Sequence, residues 1–100
     1  MSSGQKSFTH INTTQAGLLI VGYPSILGSV FVNTAGTGGG SVLTIFDGTS
    51  AAAPAVTVAV CNTQNSAIPS WDFNIAMSRG IFVTLTAGTT TQSDVTITYD

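Results

Sequence analysis

The chain has 100 residues, a formal net charge of −2 and a pI near 4.7, with 6% of its side chains charged and 43% hydrophobic. That length suits one domain with a core covering roughly two-thirds of the unfolded surface, and the two cations, Lys6 and Arg79, leave no basic stripe for a nucleic acid. The single cysteine, Cys61, excludes an intramolecular disulfide and a cysteine-based zinc cluster.

Ordinary domains carry about a quarter charged residues; here there is no Glu, and Thr, Ser and Gly fill the polar positions. A chain so depleted lacks the charge that keeps monomers soluble and apart, so much of its surface is expected to be covered by copies of itself or by a larger assembly.

Residues 1–6 have nothing to bury and are expected to form a mobile arm before a single domain over 7–100. No apolar stretch follows Lys6, so no secretory signal is expected, and the sequon Asn12-Thr13-Thr14 then has no context in which to act. The longest nearly apolar run, 16–23, falls far short of the roughly 20 residues a membrane-spanning helix needs. Strands are expected near 6–12, 16–22, 26–34, 41–47, 55–61, 68–75, 78–86 and 94–100, and no apolar stripe of helical period persists anywhere.

Taken in order, the first strand holds His10, the sole histidine, expected as an ordinary strand or interface residue facing away from Ile11. Residues 18–21 are apolar on both faces, as are 43–46 and 81–85, which puts one face in the core and the other against something else. Tyr23, beside Pro24 in a turn, is the aromatic best placed for an interface. The glycine-rich segment 34–40 precedes a strand, with no Lys-Ser/Thr and no helix behind it, so it reads as a flexible connection able to mould onto a partner rather than as a phosphate loop. Asp47-Gly48 is a turn signal, Gly for positive φ and Asp for a bond to its own backbone; no second carboxylate lies near it for calcium.

Val56, Val58 and Val60 alternate with Thr57, Ala59 and Cys61; Trp71, Phe73 and Ile75 with Asp72 and Asn74; Val95, Ile97 and Tyr99 with Thr96 and Thr98. The valines, Trp71, Phe73, Ile75, Val95 and Ile97 are the expected core, and Cys61 an inert strand thiol. Trp71, Phe73, Phe82, Tyr23 and Tyr99 can in principle form a carbohydrate-stacking platform, although core packing accounts for most of them. Eight short strands without helices point to an all-β, antiparallel, jelly-roll-like sandwich rather than a seven-stranded immunoglobulin-like one, whose cysteine pair is missing. No Gly-x-Ser-x-Gly elbow or metal-ligand spacing is present, so neither an enzyme nor a metal or cofactor is expected.

The segment Leu27-Gly28-Ser29-Val30-Phe31-Val32-Asn33-Thr34-Ala35-Gly36-Thr37, followed by Leu43-Thr44-Ile45-Phe46-Asp47-Gly48-Thr49-Ser50 and closed by Asp94-Val95-Thr96-Ile97-Thr98-Tyr99, resembles small structural proteins of tailed bacteriophages over roughly residues 16–100. Those proteins have a β-sandwich or jelly-roll fold. The resemblance implies a virion component made in the host bacterial cytoplasm: a decoration or cement protein on the capsid, or else a head- or tail-fibre domain that binds a host receptor or glycan. The partner it implies is the major capsid protein; the strands apolar on both faces add copies of the chain itself, as a homotrimer or a dimer, and the charge and the short apolar runs leave no nucleic acid or membrane partner expected. The candidate interface residues are Tyr23, Phe31, Gly38, Gly39, Leu43, Ile45 and Phe82.

Overall fold

Runs of Val, Ile and Thr form strands because branched side chains pack well on a pleated surface, and the Gly, Pro, Asn and Ser between them turn the chain. A computed structural model describes residues 7–63, 70–86 and 92–100; the expected arm at 1–6 lies outside the described residues. The strands are β1 (Ser7–Ile11), β2 (Gln15–Val21), β3 (Ser25–Thr34), β4 (Val42–Asp47), β5 (Val56–Asn62), β6 (Ser70–Met77), β7 (Ile81–Leu85) and β8 (Asp94–Tyr99). Among the described residues there is no helix. The largest departure from the expected spans is the start of β7, because Ser78, Arg79 and Gly80 make the turn before it.

The strands form two antiparallel sheets of four, in the orders β1-β8-β3-β6 and β2-β7-β4-β5. The pairs β1·β8, β2·β7, β3·β6 and β4·β5 each join a strand to its counterpart counted from the other end of the chain. The chain is therefore one long hairpin wound around itself, with successive pairs falling in alternate sheets, and this is jelly-roll connectivity. Capsid proteins, lectins and cupins all use that architecture, so function has to be argued from surfaces and sites.

Leu27, Val30, Val95 and Ile97 from one sheet meet Leu43, Ile45, Ile81, Val83 and Leu85 from the other, all fully buried. Each such side chain contributes about 1.5–3 kcal/mol by leaving water. Trp71, Phe73, Ile75 and Tyr99 pack against this core while partly exposed. The body measures 37 × 30 × 17 Å between Cα extremes, a slab whose two broad faces are the outer surfaces of the sheets.

Two of the expected core valines are not in the core. Val56 and Val60 are 58% and 66% exposed. Strand β5 is an edge strand and bulges where its partners pass from Ile45↔Ala59 to Phe46↔Thr57. Cys61 and Ala59 then face inward opposite Leu43 and Ile45, and Val60 shares the outer face with Thr44. Val58, at the bulge, still packs against the core. A second bulge lies in β6, where pairing with β3 slips between Leu27↔Ile75 and Ser29↔Asp72. Asn74 takes φ 52° there, a left-handed conformation that Asn tolerates better than most residues.

Candidate functional site

The two broad faces differ in chemistry. On the β2-β7-β4-β5 sheet, Leu19 lies opposite Phe82, Phe82 opposite Phe46, and Phe46 opposite Thr57, a row across all four strands. Beside it run Thr84, Thr44 and Val60. The Phe46 and Phe82 rings are tilted at 59° with centroids 6.2 Å apart, a favourable edge-to-face arrangement. Phe82 lies over Gly17, where an added Cβ would come within 2.6 Å of the ring, so the missing side chain makes room for the aromatic. Strands β2, β4, β5 and β7 carry one charged residue between them, Asp47, at the end of β4.

Asp47 is occupied elsewhere. Its Oδ2 accepts from the backbone N–H and hydroxyl of Ser78 (3.0 and 2.9 Å), and its Oδ1 from the Arg79 N–H at 2.8 Å. Burial works to raise the pKa of this carboxyl, but the bonds from Arg79, Ser78 and Gly80 outweigh it and hold the value below the ordinary 3.8. The expected bond from Asp47 to its own turn is thus replaced by one that ties the β6–β7 turn to β4. Gly48 has no positive φ; it is needed because a Cβ would sit 2.3 Å from that of Ala55.

The opposite face, on β1-β8-β3-β6, carries charged and polar side chains together with the exposed Phe8, Phe31 and Ile26. Across it His10 pairs with Thr96, and Thr96 with Phe31; Phe8 pairs with Thr98. His10 Nε2 bonds Asp94 Oδ1, and Asn33 Nδ2 donates to the same Oδ1 at 3.2 Å and to Thr96 Oγ1 at 2.9 Å. The Asn33 bond, with the His10 bond and charge, holds the Asp94 carboxyl below its ordinary pKa against a smaller opposing effect of burial. Phe8 and Phe31 stand exposed beside this cluster. The geometry is that of an Asp–His pair without a nucleophile. Among the described residues no hydroxyl or thiol bonds His10, and the neighbouring Thr96 hydroxyl is held by Asn33.

Cys61 is buried, and burial pushes its thiol up to about 11, as suits an inert core residue. Among the described residues no group of three or more His, Cys, Asp or Glu side chains is placed to hold a metal ion. No family model, curated protein or solved structure matches the chain.

The seven candidate interface residues do not make one site. Tyr23 is exposed in the β2–β3 turn, Phe31 lies on the β1-β8-β3-β6 face, and Phe82 is half-buried on the apolar face. Leu43 and Ile45 are fully buried and so lie in the core rather than at an interface; in β4 the outward residues are Val42, Thr44 and Phe46. Gly38, Gly39 and Gly40 have φ of 90°, 113° and 85°, so these glycines serve a path that other residues rarely follow. The loop is also anchored. Gly36 N–H donates to the Thr63 carbonyl (2.9 Å), and Ser41, at its end, belongs to a buried hydroxyl triangle. Ser41 Oγ is 2.8 Å from both Thr63 Oγ1 and Ser93 Oγ, and the last two are 3.1 Å apart.

Proposed function

We propose that this chain is a structural protein of a bacteriophage virion, of the capsid decoration or cement type, which adds contacts between major capsid subunits and turns over no substrate. One observation carries the reading: the broad outer face of β2-β7-β4-β5, with Leu19, Phe82, Phe46 and Val60, is apolar and has no free charge. Such a face loses little by desolvation when covered, and three threonines on it can bond a partner where packing is incomplete. The phage-like segments point the same way, and the low charge of the whole chain suits a permanently occupied surface.

In this assignment the apolar face docks on the capsid or on other copies of the chain, in a closed trimer or dimer. Attachment persists at high salt because few charges are available for ions to screen. The rival assignment, a head- or tail-fibre domain that binds a host receptor or glycan, places the chain in a fibre instead of over the head surface.

The test uses heads of the phage that encodes the chain, purified without it and heated with and without added protein. Wild type raises the rupture temperature, and Leu19→Asp/Val60→Asp, altered only at exposed positions, does not. His10→Ala, on the other face, retains the effect. No shift with wild-type protein refutes the cement assignment.

A further inference from the structure

The β1-β8-β3-β6 face carries its own binding geometry. Asp94 has both of its side-chain bonds on Oδ1, and Asn33 spends its amide N–H groups on Asp94 and Thr96. Among the described residues Asp94 Oδ2 and Asn33 Oδ1 accept no hydrogen bond, and His10 uses only Nε2. These groups are held by one another, so little side-chain freedom is lost when they bind a ligand. Thr96 lies across from Phe31 on one side and His10 on the other, with Phe8 next along β1 from His10 on the same face. Three strands spaced about 4.8 Å apart give a patch about 10 Å wide.

The chemistry of a matching ligand follows. Two free oxygen acceptors, one of them a carboxylate, call for a molecule that donates several hydroxyl protons, and the carboxylate disfavours an anion. The aromatic rings call for an apolar C–H surface on the same molecule. An added peptide strand does not use these groups, because β8 and β3, which carry Asp94 and Asn33, are paired on both sides; only the edge strand β1 has free main-chain groups, and they point outward in the plane of the sheet, away from the cluster. A ligand with hydroxyls on its edge and C–H groups on its face is a sugar ring.

We infer that the outer face of β1-β8-β3 binds an uncharged saccharide, with Asn33, Asp94 and His10 holding its hydroxyls and Phe31 and Phe8 its C–H face. The site lies on the slab face opposite the proposed docking surface, so a chain docked by its apolar side presents it outward. It is also present in the isolated chain, so its test is independent of any capsid.

The isolated protein, labelled with nitrogen-15, is titrated with the methyl glycosides of glucose, galactose, mannose and N-acetylglucosamine, and with sialyllactose as an anionic comparison. At least one neutral glycoside is expected to shift the amides of Phe8, His10, Phe31, Asn33, Asp94 and Thr96 with millimolar affinity. Asn33→Ala and Phe31→Ala each weaken that binding by about fivefold or more, the worth of one hydrogen bond or ring contact. Leu19→Ser, on the other face, leaves it unchanged, and dispersed spectra verify that each variant is folded. Three results overturn the inference: no neutral glycoside shifts this patch, the shifts map to the apolar face, or Asn33→Ala binds as wild type does.

Discussion

Thr63→Val keeps the side-chain shape and removes one hydroxyl from a triangle whose three members, Ser41, Thr63 and Ser93, are fully buried. Two oxygen contacts vanish, at 2.8 and 3.1 Å, while Ser41 and Ser93 keep each other at 2.8 Å. Each neutral hydrogen bond is worth about 1 kcal/mol net, so the loss is about 2 kcal/mol, toward 3 if a remaining hydroxyl is left short of a partner. In a domain of this size about 1 kcal/mol moves Tm by about 4–8 °C, giving a fall of about 8–16 °C from 2 kcal/mol. The triple variant Ser41→Ala/Thr63→Val/Ser93→Ala leaves no buried hydroxyl in want of a partner, and it should be no less stable than the single one. Urea titration followed by circular dichroism, with a thermal melt, measures both. A cost under about 0.5 kcal/mol for Thr63→Val, or a triple cost equal to the sum of the three singles, refutes the view of these hydroxyls as one unit.

Gly80→Ala should destabilise severely, because φ is 151° and the new Cβ would lie 2.3 Å from the Val21 carbonyl oxygen; denaturant midpoints check this, and wild-type stability would contradict it. Asn74→Gly should be neutral or slightly stabilising and Asn74→Ile should cost about 1 kcal/mol or more at the left-handed bulge position, compared by the same melts. Asp47 and Asp94 have folded pKa values below the ordinary 3.8, so the stability they supply is full above the unfolded value and is lost as pH falls through the lowered folded ones. Acid titration should therefore show stability falling below about pH 4, with a shallower fall in Asp47→Asn, which is also less stable at pH 7. Cys61 should resist a thiol reagent in the native protein at pH 8 and react fully in denaturant; fast native labelling would contradict its burial.

Eight strands, their order along the chain and most of the core were legible because apolar alternation and turn residues are local signals, as in Val95-Thr96-Ile97-Thr98 and in the turn at Tyr23-Pro24. Parity was not always legible. A bulge shifts a strand by one residue, which turned Val60 outward and brought Cys61 inward, and no local residue announced it. Leu43 and Ile45 looked like surplus apolar surface because every residue of 42–46 except Thr44 is apolar; pairing shows that only Phe46 and Val42 add to the outside. The His10–Asp94–Asn33 cluster joins residues up to 84 positions apart, so it needed the pairing of β1 and β3 with β8 before it could be seen. The shared parity of Phe31 with Asn33 and of Asp94 with Thr96 was the one hint available. Asp47 was recognisable as a turn residue, but its real partners, Ser78 and Arg79, lie 31 and 32 residues away.

The most direct test of the cement assignment is a cryo-EM map of the particle that carries this chain. The expected result is many symmetry-related copies on the head surface, with Leu19, Phe82 and Val60 against a neighbouring subunit and the β1-β8-β3-β6 face toward solvent. A map that shows the chain only at the tail or fibre tips, or with Leu19, Phe82 and Val60 open to solvent on the head, contradicts it.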